Sequence, residues 1–228
     1  MAGSIAHSDR LARAAAVRRF LDALAAALSA ATLAAEAPAR AALEDFARLA
    51  RSIESNPPDV APPPERIAVC RVWDEALRAA RGSLVGPLAA LSEWLSWTQN
   101  PNYRRRPPDA TFLDNYGYAV VAGPADGPLA LVTDPRVALG VLLLGAGTHY
   151  PLHAHPAVEV YVTLTPDGEW WRDDGPWRRE PPGAAIYHAP HVAHATRAGG
   201  SPLLAVYAWR GDLATHARLA TDQMRQCE

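Results

Sequence analysis

The stretch Gly147-Thr-His-Tyr-Pro-Leu-His-Ala-His-Pro-Ala-Val-Glu-Val-Tyr161 constrains the fold more than any other part of the chain. His153, His155, Glu159 and Tyr161 share one parity. Alternate residues on a strand point to the same side, so an extended run aims all four into one space. Val158, Val160 and Val162 then take the opposite, packed face. Imidazole and carboxylate groups converging on a point are the ligands a divalent cation needs. A single half-buried histidine is ordinarily a satisfied core residue, so the argument rests on the set.

A second stretch, Pro181-Pro-Gly-Ala-Ala-Ile-Tyr-His-Ala-Pro-His-Val-Ala-His194, has a turn signal, a short apolar run, another turn around Pro190 and then a histidine. The pattern Gly-x5-His-x-His-x3-Glu, followed by Pro-x-Gly and a histidine eleven residues later, resembles the two metal-binding motifs of the cupin superfamily. The resemblance implies that His153, His155, Glu159 and His194 hold one divalent metal ion. The glycine after Glu159 comes slightly late, at Gly168, which points to a longer hairpin. Three histidines and a carboxylate suit zinc, iron, manganese, cobalt or nickel alike. His188 and His191 sit on the turn before His194 and are expected only to orient it.

A chain of 228 residues can bury a substantial core. Its formal charge of -2 gives no electrostatic case for nucleic acid. There is no lysine, which excludes lysine Schiff-base chemistry. Cys70 and Cys227 lie far apart and form no metal motif, and with so few cysteines the fold is not expected to depend on disulfides, which suits a reducing cytoplasm. Arg18-Arg19-Phe20-Leu21 before the run Ala23 to Ala35 resembles an export signal, but the run is mostly alanine and Asp22 interrupts its start. An ordinary helix explains it better. No run is apolar and long enough to span a bilayer.

Helical spacing predicts a first helix over 8–35 and a second from Pro38 to Ile53. The proline-rich run 56–64 reads as a stiff extended connector. Helices are expected over Glu65–Arg81 and Pro87–Trp97. From Phe112 onward glycine, proline and strand formers take over. Strands are expected at Gly117–Ala122, Ala138–Leu144, Val158–Leu164, Glu169–Arg172, Trp177–Arg179, Ala184–His188, Ala193–Arg197 and Leu203–Trp209, with a closing helix over Leu213–Met224. The fold class is therefore mainly β. A helical region, 1–110, packs on a β-barrel domain, 111–228, which the resemblance makes a cupin double-stranded β-helix.

Within the cupins a narrower match appears. Its elements are Trp97-x-Gln-Asn-Pro-Asn-Tyr103, Asn115-Tyr-Gly-Tyr118, Tyr150-Pro-Leu-His-Ala-His-Pro-Ala-x-Glu-x-Tyr161, Trp170-Trp171, and His194-Ala-x-Arg197 before Leu203-Leu-Ala-x-Tyr-x-Trp-Arg-Gly-Asp212. Together they resemble the cupin-type dimethylsulfoniopropionate lyases over roughly residues 90 to 212. The resemblance implies β-elimination of a zwitterionic small molecule, giving dimethyl sulfide and acrylate. Such chemistry needs a base for the proton beside the carboxylate, a Lewis acid for that carboxylate, and aromatic faces for the sulfonium. Tyr161, two residues past Glu159 on one strand face, is the expected base, with Tyr150 as a partner or alternative. Trp97, Tyr118, Tyr207 and Trp209 are the candidates for holding the sulfonium. No nucleic-acid or membrane partner is expected, and a homodimer is compatible with the sequence. A cupin dioxygenase or isomerase on the same ligands, or a metal-dependent small-molecule sensor, are the competing readings.

Overall fold

The computed structural model describes residues 7–58, 63–173 and 175–220. Helix α1 (His7–Ala31) turns into α2 (Ala39–Ser52), and the two pack together. Val17, Phe20, Leu21, Leu24 and Leu28 form the buried stripe of α1 that helical spacing predicts. Arg18 caps the end of α2, its guanidinium donating to Ala50 O and Ile53 O at 2.9 Å each. Those carbonyls have no partner within the helix, and a cation there also suits the helix dipole.

The next two expected helices are largely overturned. Residues Ala68–Val72 form a 3-10 turn that runs into a short α3 (Trp73–Ala79), and α4 spans only Val85–Ala89. Trp97 and Thr98 are β1, not the end of a helix. Strand pairing with Ala119 and Tyr118, plus the bond from Trp97 N to Glu65 O at 2.9 Å, claims this backbone against its local preference. Helix α5 (Pro101–Arg105) follows, with Asn100 as its cap and Pro101 in its first turn.

The remaining strands are β2 (Tyr116–Gly123), β3 (Ala130–Thr133), β4 (Val137–Leu144), β5 (His149–Ala154), β6 (Val158–Thr163), β7 (Gly168–Arg172), β8 (Arg178–Arg179), β9 (Ala185–His188), β10 (His194–Ala198), β11 (Leu203–Arg210) and β12 (Arg218–Leu219). The large sheet runs β1-β2-β4-β11-β6-β9, with β3 parallel beside β2. The small sheet runs β12-β5-β10-β7-β8 and is antiparallel throughout. This is the mainly β barrel with a helical N-terminal region that the cupin resemblance implies. Among the described residues no helix is long and apolar enough to cross a membrane. The expected closing helix does not form over its described part. Residues 213–217 are irregular and lead into β12, because Asn100 and Asn102 donate to Ala217 O at 2.9 and 3.0 Å and β5 takes the next residues. The part beyond residue 220, and residues 59–62 of the connector, lie outside the described residues.

The large sheet is buried on both faces. Val160 and Val162 of β6, Leu204 and Val206 of β11, and Val141 and Leu143 of β4 join one core with α1 and α2. The alternate residues Tyr161, Ala205, Tyr207 and Leu142 join a second core with Tyr150 and Trp170 of the small sheet. The helical third thus shares its core with the outer face of the sheet. The boundary expected at residue 110 falls after β1, which is already a strand of that sheet.

Candidate active site

Three strands converge on one end of the barrel interior. His153 lies on β5, His155 just after it, Glu159 on β6 and His194 on β10, and all four are buried. Backbone register brings His153 opposite His194. The Nε2 atoms of His155 and His194 both lie 3.1 Å from the same Glu159 Oε2. One ligand atom from each of these three residues falls within 4.8 Å of the others. His153 stands beside that group without belonging to it: its ring centroid is 4.1 Å from His194 and 6.5 Å from His155.

The tautomers follow from the backbone. Nδ1 of His153 contacts Pro151 O at 2.8 Å, Nδ1 of His155 contacts Ala157 O at 3.1 Å, and Nδ1 of His194 contacts Val192 O at 2.9 Å. A carbonyl only accepts, so each Nδ1 carries the proton and each neutral ring keeps its Nε2 lone pair. Two such lone pairs then face a carboxylate oxygen, and His194 Nε2 has no hydrogen-bond geometry to it. Three acceptors turned on one another in a buried space fit a divalent cation. Burial pushes the Glu159 carboxyl up; without a cation, protons on His155 and then His194 outweigh it and hold the carboxyl well below the usual range, and a bound cation would take the place of those protons.

Each of these histidines also has a ring against its face. Tyr150 stacks on His153 at 3.9 Å, Trp209 lies over His155 at 4.0 Å, and His188 stacks on His194 at 4.0 Å. The Trp209 indole N–H further donates to Glu159 Oε1. Trp209 therefore orients two candidate ligands at once.

Glu159 and Tyr161 open into a cavity of about 80 Å³ walled by Tyr116, Tyr118, Tyr150, Tyr207 and Trp209, with Asn100, His216 and Ala217 among its lining. Tyr118 and Tyr207 meet edge to face at 6.2 Å. Burial, then Glu159 beside it, holds the Tyr161 phenol well above the ordinary tyrosine range. Burial raises Tyr118 to about 12 and raises Tyr150 and Tyr207 as well.

The family model for dimethylsulfoniopropionate lyases matches residues 39–205, most of the chain. The chain belongs to the dimethylsulfoniopropionate lyase family. The lyase DddQ of Ruegeria pomeroyi is 37% identical over 106 residues, which are 46% of this chain and 51% of that protein. In that alignment the chain spans about half the length of the curated relative it matches. The crystal structure of DddQ from Ruegeria pomeroyi superposes with a TM-score of 0.62 at 27% identity, covering 72% of this chain and 81% of that one. A crystal structure from work on the dimethylsulfoniopropionate lyases RdDddP and RnDddQII gives 0.66 at 20% identity, covering 90% and 98%. At that identity the similarity speaks for the fold alone.

Set against this family's expected site, one residue is misplaced. Trp97 does not line the cavity. It is fully buried in the helix-facing core, edge to face with Trp73 at 5.2 Å. Parity explains this: Trp97 pairs with Ala119 of the outward face, whereas its neighbour Thr98 pairs with the inward Tyr118. Sequence reasoning gave no role to Tyr103, Tyr116 or Asn100. Tyr103 accepts a hydrogen bond from the Tyr150 hydroxyl at 3.1 Å, and Tyr116 packs 5.1 Å from the Tyr150 ring. All three stood inside the motifs that carried the family resemblance, and that was the signal available.

Proposed function

We propose that this chain cleaves dimethylsulfoniopropionate to dimethyl sulfide and acrylate by β-elimination. His155, Glu159 and His194 would hold one divalent cation, with His153 as the fourth ligand and Tyr161 as general base. The observation that carries this reading is the convergence of three ligand atoms beside Tyr161, at the end of a tyrosine-walled cavity, in a chain of this family. A bound cation supplies a Lewis acid for the substrate carboxylate.

The chain's own residues do the rest. Tyr161, ionised to its phenolate, takes the proton from the carbon beside the carboxylate and ends as the neutral phenol. The electrons of that C–H bond become the new C=C bond, and the C–S pair leaves on sulfur. The leaving group is neutral dimethyl sulfide, so no general acid is needed. The two largest causes that oppose ionisation of Tyr161 are burial and the Glu159 charge; neutralising Glu159 removes the second. The ring faces of Tyr118 and Tyr207 suit the sulfonium, which they attract without a salt bridge. Trp209 has its N–H committed to Glu159, so only its ring face remains for the substrate. Tyr150, its hydroxyl bonded to Tyr103, supports His153 and the cavity wall.

Headspace measurement of dimethyl sulfide from the metal-loaded protein tests the reading. Gas should appear in equal amounts with and without oxygen and stop on chelation. Oxygen-dependent turnover of the substrate without dimethyl sulfide would move the chain to dioxygenase chemistry instead.

A further inference from the structure

His188 is the residue of the site whose chemistry is unexplained. It lies on β9 directly opposite Glu159 of β6, is 1% exposed, and stacks on His194 with an interplanar angle of 12°. Its ring centroid is 6.0 Å from that of Tyr161. Neither Nδ1 nor Nε2 has a hydrogen-bond partner among the described residues. A buried polar group without a partner costs stability. Stacking alone does not need it, because Tyr150 and Trp209 hold the other two imidazoles with rings whose polar atoms are partnered. A phenyl ring in place of His188 would stack without the cost.

We infer that His188 belongs to the metal centre and donates a ring N–H to an oxygen atom bound on the cation. Direct ligation alongside His194 is excluded by the stack itself: near-parallel rings 4.0 Å apart cannot aim their in-plane lone pairs at one point. A hydrogen bond to an oxygen ligand does not require both rings to aim at one point. That oxygen is a water or a carboxylate oxygen. His188 is thus a positioning residue that fixes what the cation carries. The inference rests on reading His155, Glu159 and His194 as a metal site, and not on the identity of the substrate.

The test is titration of the full-length metal-free protein with Co²⁺, followed by calorimetry and visible absorption, with and without propionate as a carboxylate probe. Wild-type protein that takes up no Co²⁺ would refute the metal reading itself. Given Co²⁺ binding, His188→Phe should keep the stack, lower affinity about tenfold or more and shift the visible bands, as loss of an outer partner does. His188→Gln, which keeps an N–H, should recover part of the loss. A deficit seen only with propionate assigns the oxygen to the carboxylate; one seen in both conditions assigns it to water. The metal-free His188→Phe protein should melt at or above the wild-type temperature, because unpartnered polar atoms have gone. If His188→Phe does not fold, His188→Leu against His188→Gln makes the same comparison. Unchanged affinity and bands in the apolar variant, with and without propionate, would overturn the inference.

Discussion

At the scale of the residue, the three candidate histidine ligands are fixed twice, by a carbonyl on Nδ1 and by a ring over the imidazole face. Such double constraint makes conservative changes informative. Tyr161→Phe keeps the ring and every neighbour, and should retain metal while losing about 10²–10⁴-fold in kcat, read from the rate of dimethyl sulfide release. If Tyr161→Phe stays active while Tyr150→Phe is dead, Tyr150 is the base. Trp209→Phe keeps a ring over His155 but frees Glu159 Oε1. It should weaken metal binding about 10–100-fold by calorimetric titration. The inward set on β6 was legible because a strand has period two and Glu159 and Tyr161 stand two apart. Trp97 was not legible. Its side depends on a strand only two residues long, set in a stretch whose local pattern is helical.

At the scale of the element, β2, β4, β6 and β11 were readable from their apolar runs. The edge pieces were not: β1, β3 and β12 owe their extension to a partner rather than to their own sequence. Helix α5 carries Tyr103 behind Tyr150 of the wall from a segment of five residues, too short for periodicity to show. The crossing of β4 and β11 makes a sharper demand. A Cβ on Gly140 would meet Ala119 O and also the Tyr207 ring and hydroxyl. Gly140 is therefore what lets Tyr207 lie flat in the cavity wall. Gly140→Ala should cost about 1–3 kcal/mol, as overpacking does, and displace Tyr207. A fall in the urea midpoint together with a raised KM would show both effects.

At the scale of the whole molecule, stability and chemistry occupy opposite faces of one sheet. Phe46 of α2 is fully buried in the helix-facing core. Phe46→Ala should cost about 3–5 kcal/mol, yet leave metal affinity unchanged while the chain is folded. The inner face sets the alkaline limit. Burial raises Tyr103, Tyr116, Tyr118 and Tyr207 above their ordinary values, whereas unfolded phenols ionise near about 10. Raised folded values mean that this stability is complete below about pH 10 and is lost as pH rises through the folded values, of which that of Tyr118 is about 12. Urea midpoints should accordingly be flat around pH 8–9 and fall steadily above about pH 10.

The doubly buried sheet also has a consequence for how such a chain can change over generations. Substitutions at one position touch one wall at a time. Gain or loss of a single residue inside β6 or β11 inverts every side chain beyond it. Glu159 or Tyr207 would then face α2, and the valines would face the cavity. Length variation should therefore be confined to connections such as 124–129, which lies between β2 and β3, while β6 and β11 keep their lengths.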